Sequence, residues 1–269
     1  MGQMFFPLMV LVCPVRPLSG AEFERVSVGE HALQLSIRGK GLPTVVFESG
    51  QGSGLEVWDK VQLEVARFTR TVAYDRAGLG KSEEGPQPRD ARQIARELHT
   101  ALHKSGAEAP YVLVGHSVGA FYIRVFADLY PEEIAGLVFV DPTTEQFIDW
   151  LKANRPDAAT SEGDVSRMSP GRSAEWDAKD TNLEQARSAR LRPGIPIMVL
   201  TAVRPEQTRP AEFLKIWSKT QEEWLKKLPN AKQIVTEKSG HNIQKEQPDL
   251  VIEAVQKIIE QAGYRNPAP

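Results

Sequence analysis

One cysteine, Cys13, stands in a chain of 269 residues, so no intramolecular disulfide can form, nor any thiolate cluster for zinc or iron–sulfur. An excess of basic charge is also missing. With 33 Lys and Arg against 35 Asp and Glu, the chain lacks the field that would draw it to nucleic acid or an anionic membrane surface. No apolar run reaches the roughly 20 residues that a spanning helix needs. The longest, Met4 to Val15, is broken by Pro7 and has the length of the apolar part of a secretory leader. Ser19-Gly20-Ala21 supplies small residues for cleavage after Ala21, although Met1-Gly2-Gln3 lacks the usual Lys or Arg. Residues 1–21 are therefore expected to be a leader. Its removal would give an exported protein, periplasmic or secreted, without stable membrane insertion; a retained segment would imply the cytoplasm.

What is present is globular: 41% hydrophobic and 25% charged residues, at a length that one core can still serve. Short β-branched runs alternate with helical patterns, the signature of an α/β protein with a mostly parallel sheet. Eight strands are predicted. Glu24 to Val28 and Ala32 to Arg38 flank Gly29-Glu30 and read as an outer hairpin. Thr44 to Phe47, Thr71 to Tyr74, Tyr111 to Val114, Leu137 to Val140, Ile197 to Leu200 and Gln233 to Thr236 are more continuously apolar, as expected of parallel strands covered on both faces. Helices are predicted over Asp90 to Lys104 and from Pro248 to near Gly263. Residues 143–192 break the alternation and are read as a helical cap inserted into the single core of 22–142 and 193–269, with a loop-like middle from Arg155 to Gly171. Phe147, Ile148, Trp150, Leu151, Trp176, Leu183 and Leu191 are its apolar members.

The chemistry is signalled at Gly115-His116-Ser117-Val118-Gly119, a G-x-S-x-G sequence. These letters gain meaning from context, because a buried strand precedes them and a helix follows, closed by Pro131. A serine at such a strained corner needs small neighbours two residues away on each side, and the helix N-terminus favours developing negative charge. Ser117 is thus the candidate nucleophile. A serine hydroxyl needs a base, and of five histidines His241, in the loop before the final helix, has the suitable placement. His116 should point elsewhere from the elbow, and His31 opens an outer strand. His99 and His103, at i and i+4, offer two metal ligands, but no acid follows His99 as in H-E-x-x-H and no third ligand is evident; a solvated helical face is expected, and no metal or cofactor.

The base needs a carboxylate to fix its tautomer. Asp141 ends the predicted sixth strand on the same sheet edge as Ser117, and Glu206, past the seventh, is the rival. An oxyanion needs backbone donors, for which the N–H of Val118 and that of Gln51, in the loop Ser49-Gly50-Gln51-Gly52-Ser53-Gly54, are the candidates.

Together these residues resemble the α/β-hydrolase superfamily from Glu24 to Gly263, with Asp75-Arg76-Ala77-Gly78-Leu79-Gly80-Lys81-Ser82 similar to the family's D-x-x-G-x-G-x-S turn. The resemblance implies Ser117 as nucleophile, His241 as base and Gln51 and Val118 as oxyanion donors. Two departures stand out: Ser49-Gly50 replaces the usual His-Gly, and the customary aspartate after the seventh strand is absent. Ser rather than Asp at the elbow speaks against the epoxide hydrolase and haloalkane dehalogenase branches. The expected function is a serine hydrolase for small or medium carboxylic esters, with a small-molecule ester as its partner. Peptidase, amidase, carbon–carbon bond hydrolase and ligand-binding receptor are the alternatives. The cap acids Glu162, Asp164, Glu175 and Asp177 form no obvious anchor for a peptide amino terminus.

Overall fold

A computed structural model describes residues 20–157, 168–228 and 230–264. The expected leader falls almost wholly on residues 1–19, outside the described residues. Among the described residues no helix is long and apolar enough to cross a membrane.

Eight strands make one sheet: β1 (Glu22–Ser27), β2 (Ala32–Arg38), β3 (Thr44–Glu48), β4 (Thr71–Tyr74), β5 (Tyr111–His116), β6 (Ile134–Val140), β7 (Ile197–Ala202) and β8 (Ala231–Thr236). Their spatial order is β1-β2-β4-β3-β5-β6-β7-β8. The first two pair antiparallel with each other, and β2 lies antiparallel on β4; every later pairing is parallel. The strands are longer than the apolar runs alone suggest, because β5 continues through Gly115 and His116 into the elbow and β6 begins at Ile134.

The uninterrupted apolar runs follow from burial on both faces. In β5, Tyr111 and Leu113 join one core cluster while Val112 and Val114 join the other; Leu137 and Phe139 of β6 divide likewise from Val138 and Val140. The first cluster is closed by α2 (Ala91–Lys104) and α3 (Gly119–Leu129), the second by α1 (Asp59–Val65) and, at the end of the chain, α9 (Pro248–Gln261). Asp90 caps α2 by accepting from the Gln93 N–H at 2.9 Å. One expectation fails at β8. It is an edge strand with alternating partial exposure: among the described residues no strand pairs with its outer edge, and Val235 is 54% exposed.

Between β6 and β7 lie three described helices, α4 (Glu145–Asn154), α5 (Pro170–Asp177) and α6 (Lys179–Ser188). The predicted loop-like middle is corrected at its end, since Ser169 caps α5 and Pro170 opens it; residues 158–167 lie outside the described ones. Beyond β7 come α7 (Ala211–Leu225) and a short α8 (Ile243–Glu246). The surface of α2 also departs from expectation. His99 is largely covered, its ring stacked on Tyr130 with centroids 3.7 Å apart, and Glu133 faces it from the 3-10 turn Pro131–Glu133. His31 is likewise buried, 3.2 Å from Glu97 of α2.

Candidate active site

At the carboxyl ends of β5 and β6 two non-glycine residues adopt left-handed backbone conformations, Ser117 with φ 54° and Asp141 with φ 43°. The adjacent strands set their spacing: the register pairs His116 with Val140, so the next residue of each strand leaves the sheet at the same edge. The Ser117 N–H donates to the Val140 carbonyl at 3.1 Å, and the Asp141 N–H to the Leu200 carbonyl at 2.7 Å. Small residues are required around this corner. A Cβ on Gly119 would lie 2.8 Å from the carbonyl oxygens of Glu48 and Ser49, and one on Gly50 would lie 3.3 Å from Ser117 Cβ.

His241 bridges the two residues. Its Nδ1 lies 2.6 Å from Asp141 Oδ2 and its Nε2 lies 3.1 Å from Ser117 Oγ. Asp141 is fully buried and accepts three further hydrogen bonds: to Oδ2 from Arg209 Nη1 (2.7 Å), and to Oδ1 from the Ala202 N–H (3.0 Å) and Trp217 Nε1 (2.9 Å). Burial alone would raise its pKa. The hydrogen bond from His241 and the charge of Arg209 outweigh burial and hold the carboxyl below the usual Asp value, so it is the carboxylate that faces the imidazole. Glu206, the rival, does not reach the ring; its Oε2 accepts from the backbone N–H of His241 at 3.2 Å.

His116 turns its ring toward His241. Its ring centroid lies 4.6 Å from that of His241, and its Nε2 lies 3.0 Å from the His241 carbonyl oxygen, to which the neutral ring donates. Burial, helped by repulsion from His241, lowers its pKa to about 3. The unfolded chain therefore takes up a proton from about pH 6.5 downward, whereas the folded chain resists until about pH 3. The stability that this group contributes is complete above about pH 6.5 and is lost as pH falls toward 3. In urea titrations at pH 7 and pH 4.5, His116→Phe should lose about 2–3 kcal/mol less on acidification than the parent protein, whatever its stability at pH 7.

Beside the elbow, the loop after β3 is tied down by a buried guanidinium. Arg76 donates from Nη1 to Glu48 Oε1 (2.5 Å) and the Ser49 carbonyl (2.8 Å), and from Nη2 to the Gly50 carbonyl (2.8 Å). Its Nε and Nη2 hold Glu175 of α5 at 2.6 and 3.0 Å. Glu175 is thereby occupied as the partner of Arg76, and Glu162 and Asp164 lie outside the described residues. Ser117, Gln51 and Val118 share the wall of a cavity of about 280 Å³ with Phe121 and, from the helices between β6 and β7, Phe147, Ile148, Leu151, Trp176 and Leu183. Of the expected apolar members, Trp150 and Leu191 do not line it. Lys152, Lys179 and Asp180 add charge to its lining. Thr143 Oγ1 stands 3.4 Å from Ser117 Oγ. A wider depression of about 660 Å³, around Pro110, Ile134 and Pro196, lies at the opposite ends of the strands and holds none of these groups.

The model of the alpha/beta hydrolase fold family matches residues 43–192, more than half of the chain. The chain belongs to the alpha/beta hydrolase family. Among curated relatives of this alpha/beta hydrolase, the uncharacterized protein YqjL of Bacillus subtilis is 26% identical over 222 residues, 82% of this chain and 85% of that protein. Among solved structures, a thermophilic esterase from Thermogutta terrifontis covers 91% of this chain and 99% of its own, at 18% identity and a TM-score of 0.62. A Vigna radiata epoxide hydrolase mutant covers 90% and 99%, at 16% identity and a TM-score of 0.71. At such identities the two structures share the fold with this alpha/beta hydrolase, and the fold is common to different chemistries.

Sequence reasoning missed Arg209, Trp217 and the Arg76–Glu175 pair. Arg209 is 68 residues from Asp141 and Glu175 is 99 from Arg76, so no local pattern joins them. Arg76 carried one available signal, its place inside the turn that follows β4.

Proposed function

We propose that this alpha/beta hydrolase cleaves carboxylic esters of small or medium acyl chain through an acyl-enzyme formed on Ser117. The observation that carries the reading is the continuous hydrogen-bonded chain from Asp141 through His241 to Ser117, ending at the wall of a cavity. Ser117 Oγ attacks the acyl carbon while His241 Nε2 takes its proton, and Asp141 holds the Nδ1–H tautomer and stabilises the imidazolium. The N–H groups of Gln51 and Val118 receive the charge that develops on the carbonyl oxygen. His241 returns the proton to the departing alcohol, and water releases the acid by the same steps in reverse order. The helices between β6 and β7 act as a cap whose apolar side chains meet the acyl chain.

A serine at the elbow favours this reading over epoxide opening, for which the family uses a carboxylate nucleophile. The cavity's modest size and apolar lining favour short acyl groups. Initial rates on p-nitrophenyl esters from acetate to decanoate, together with labelling by a fluorophosphonate, test it. The expected result is a rate maximum at short acyl chains and one label on the peptide containing Ser117. Folded protein that neither cleaves an ester nor takes the label would overturn the proposal.

A further inference from the structure

We propose that His99, His103 and Glu133 bind one divalent transition-metal ion, with zinc as the reference case. The Nε2 atoms of the two histidines lie 3.0 Å apart, Glu133 Oε1 lies 3.0 Å from that of His99, and Glu133 Oε2 lies 3.8 Å from that of His103. One ligating atom from each of the three side chains thus lies within 4.8 Å of the others. Donors bonded to zinc at about 2.0–2.1 Å with tetrahedral angles stand about 3.3 Å from one another, within the span of these separations.

Hydrogen bonding alone leaves the cluster unsatisfied. A ring nitrogen carries at most one proton, so His99 Nε2 cannot donate fully both to His103 Nε2 and to the carboxylate. Glu133 Oε2 is buried and has no hydrogen-bond partner among the described residues. An ion among the three would give each of these lone pairs a partner.

The ligands are also held in place. Spacing of i and i+4 puts both histidines on one face of α2. His99 lies flat on Tyr130, with 4° between the rings, and Tyr130 leads directly into the turn that carries Glu133, whose N–H donates to the Tyr130 carbonyl at 3.1 Å. Two imidazoles and one carboxylate suit zinc, cobalt or nickel rather than calcium or magnesium, which prefer all-oxygen sites. The side chain of His103 is 58% exposed, which leaves the ion a path from solvent and an open fourth position. The ion would fasten α2 to the turn between α3 and β6. The 11 residues of α3, about 16 Å at 1.5 Å per residue, lie between Ser117 and Tyr130, so the ion stands apart from the reacting atoms.

The test uses the full chain, stripped with EDTA and dialysed, then titrated with zinc chloride by calorimetry and by thermal melting. One ion per chain is expected, with a melting temperature raised by about 5–10 °C at a hundredfold excess over the dissociation constant. His103→Ala, at an exposed position, and Glu133→Gln should each weaken binding at least tenfold and remove the thermal shift. His241→Ala should leave both unchanged, which separates this site from the imidazole at Ser117. Absence of zinc binding by the parent at millimolar concentration would overturn the proposal, as would binding undiminished in both the His103 and Glu133 variants.

Discussion

Ser117→Ala is expected to lower kcat on a short p-nitrophenyl ester by about 10⁴–10⁶-fold while the protein remains folded. The substitution deletes the one atom that would bond to the acyl carbon and leaves the surrounding donors in place. A residual rate above that of water should survive, because oxyanion donors and substrate positioning act without the nucleophile. His241→Ala should cost a similar factor. The double variant should be little worse than either, since residues that act as one unit lose their effect together. Rates are to be taken on protein that no longer accepts a fluorophosphonate, which excludes contaminating esterases. A Ser117→Ala rate within tenfold of the parent would remove Ser117 from the reaction.

Asp141→Asn should cost about 10⁴-fold, while Glu206→Gln costs less than tenfold. An amide at position 141 can present an N–H to His241 Nδ1, which turns the imidazole to the tautomer that cannot accept the serine proton. It also strips Arg209 of its buried counter-charge, so a lower melting temperature is expected alongside the lost rate. Glu206 meets only the backbone of His241 and supports the loop rather than the ring. Both variants are to be compared at a temperature where each is folded. A greater loss in Glu206→Gln would transfer the acid's role to that residue.

The parts of this molecule that could be read from its sequence are those that neighbours along the chain determine. The five parallel strands β3 to β7 announce themselves because each is buried on both faces, and the elbow does so because strand, serine and helix are contiguous. Asp141 was accessible through its position at the end of β6. His241 followed from the loop before the last helix. The environment of Asp141 was not accessible: Trp217 lies 76 residues away along the chain, and it is α7 that carries its indole N–H to the carboxylate. The role of His116 was hidden for a related reason, since its partner is a backbone carbonyl 125 residues away. Glu133 joins His99 across 34 residues through a turn whose direction no helical periodicity encodes. At β8 the error ran the other way, because an apolar composition does not reveal whether a strand has a neighbour on both sides.

Arg209 gives the proposed reaction a particular charge balance. At rest the buried Asp141 carboxylate is already offset by the guanidinium at 2.7 Å, so the group of Arg209, Asp141 and neutral His241 sums to zero. When the serine proton moves to the imidazole, the group becomes a monocation at the instant the carbonyl oxygen becomes a monoanion. The two charges appear together and disappear together, first as the alcohol leaves and again as the acid is released. Neither half of the cycle asks the protein interior to hold an unmatched ion, and a neutral ester can pass from entry to product without a counter-ion from solvent.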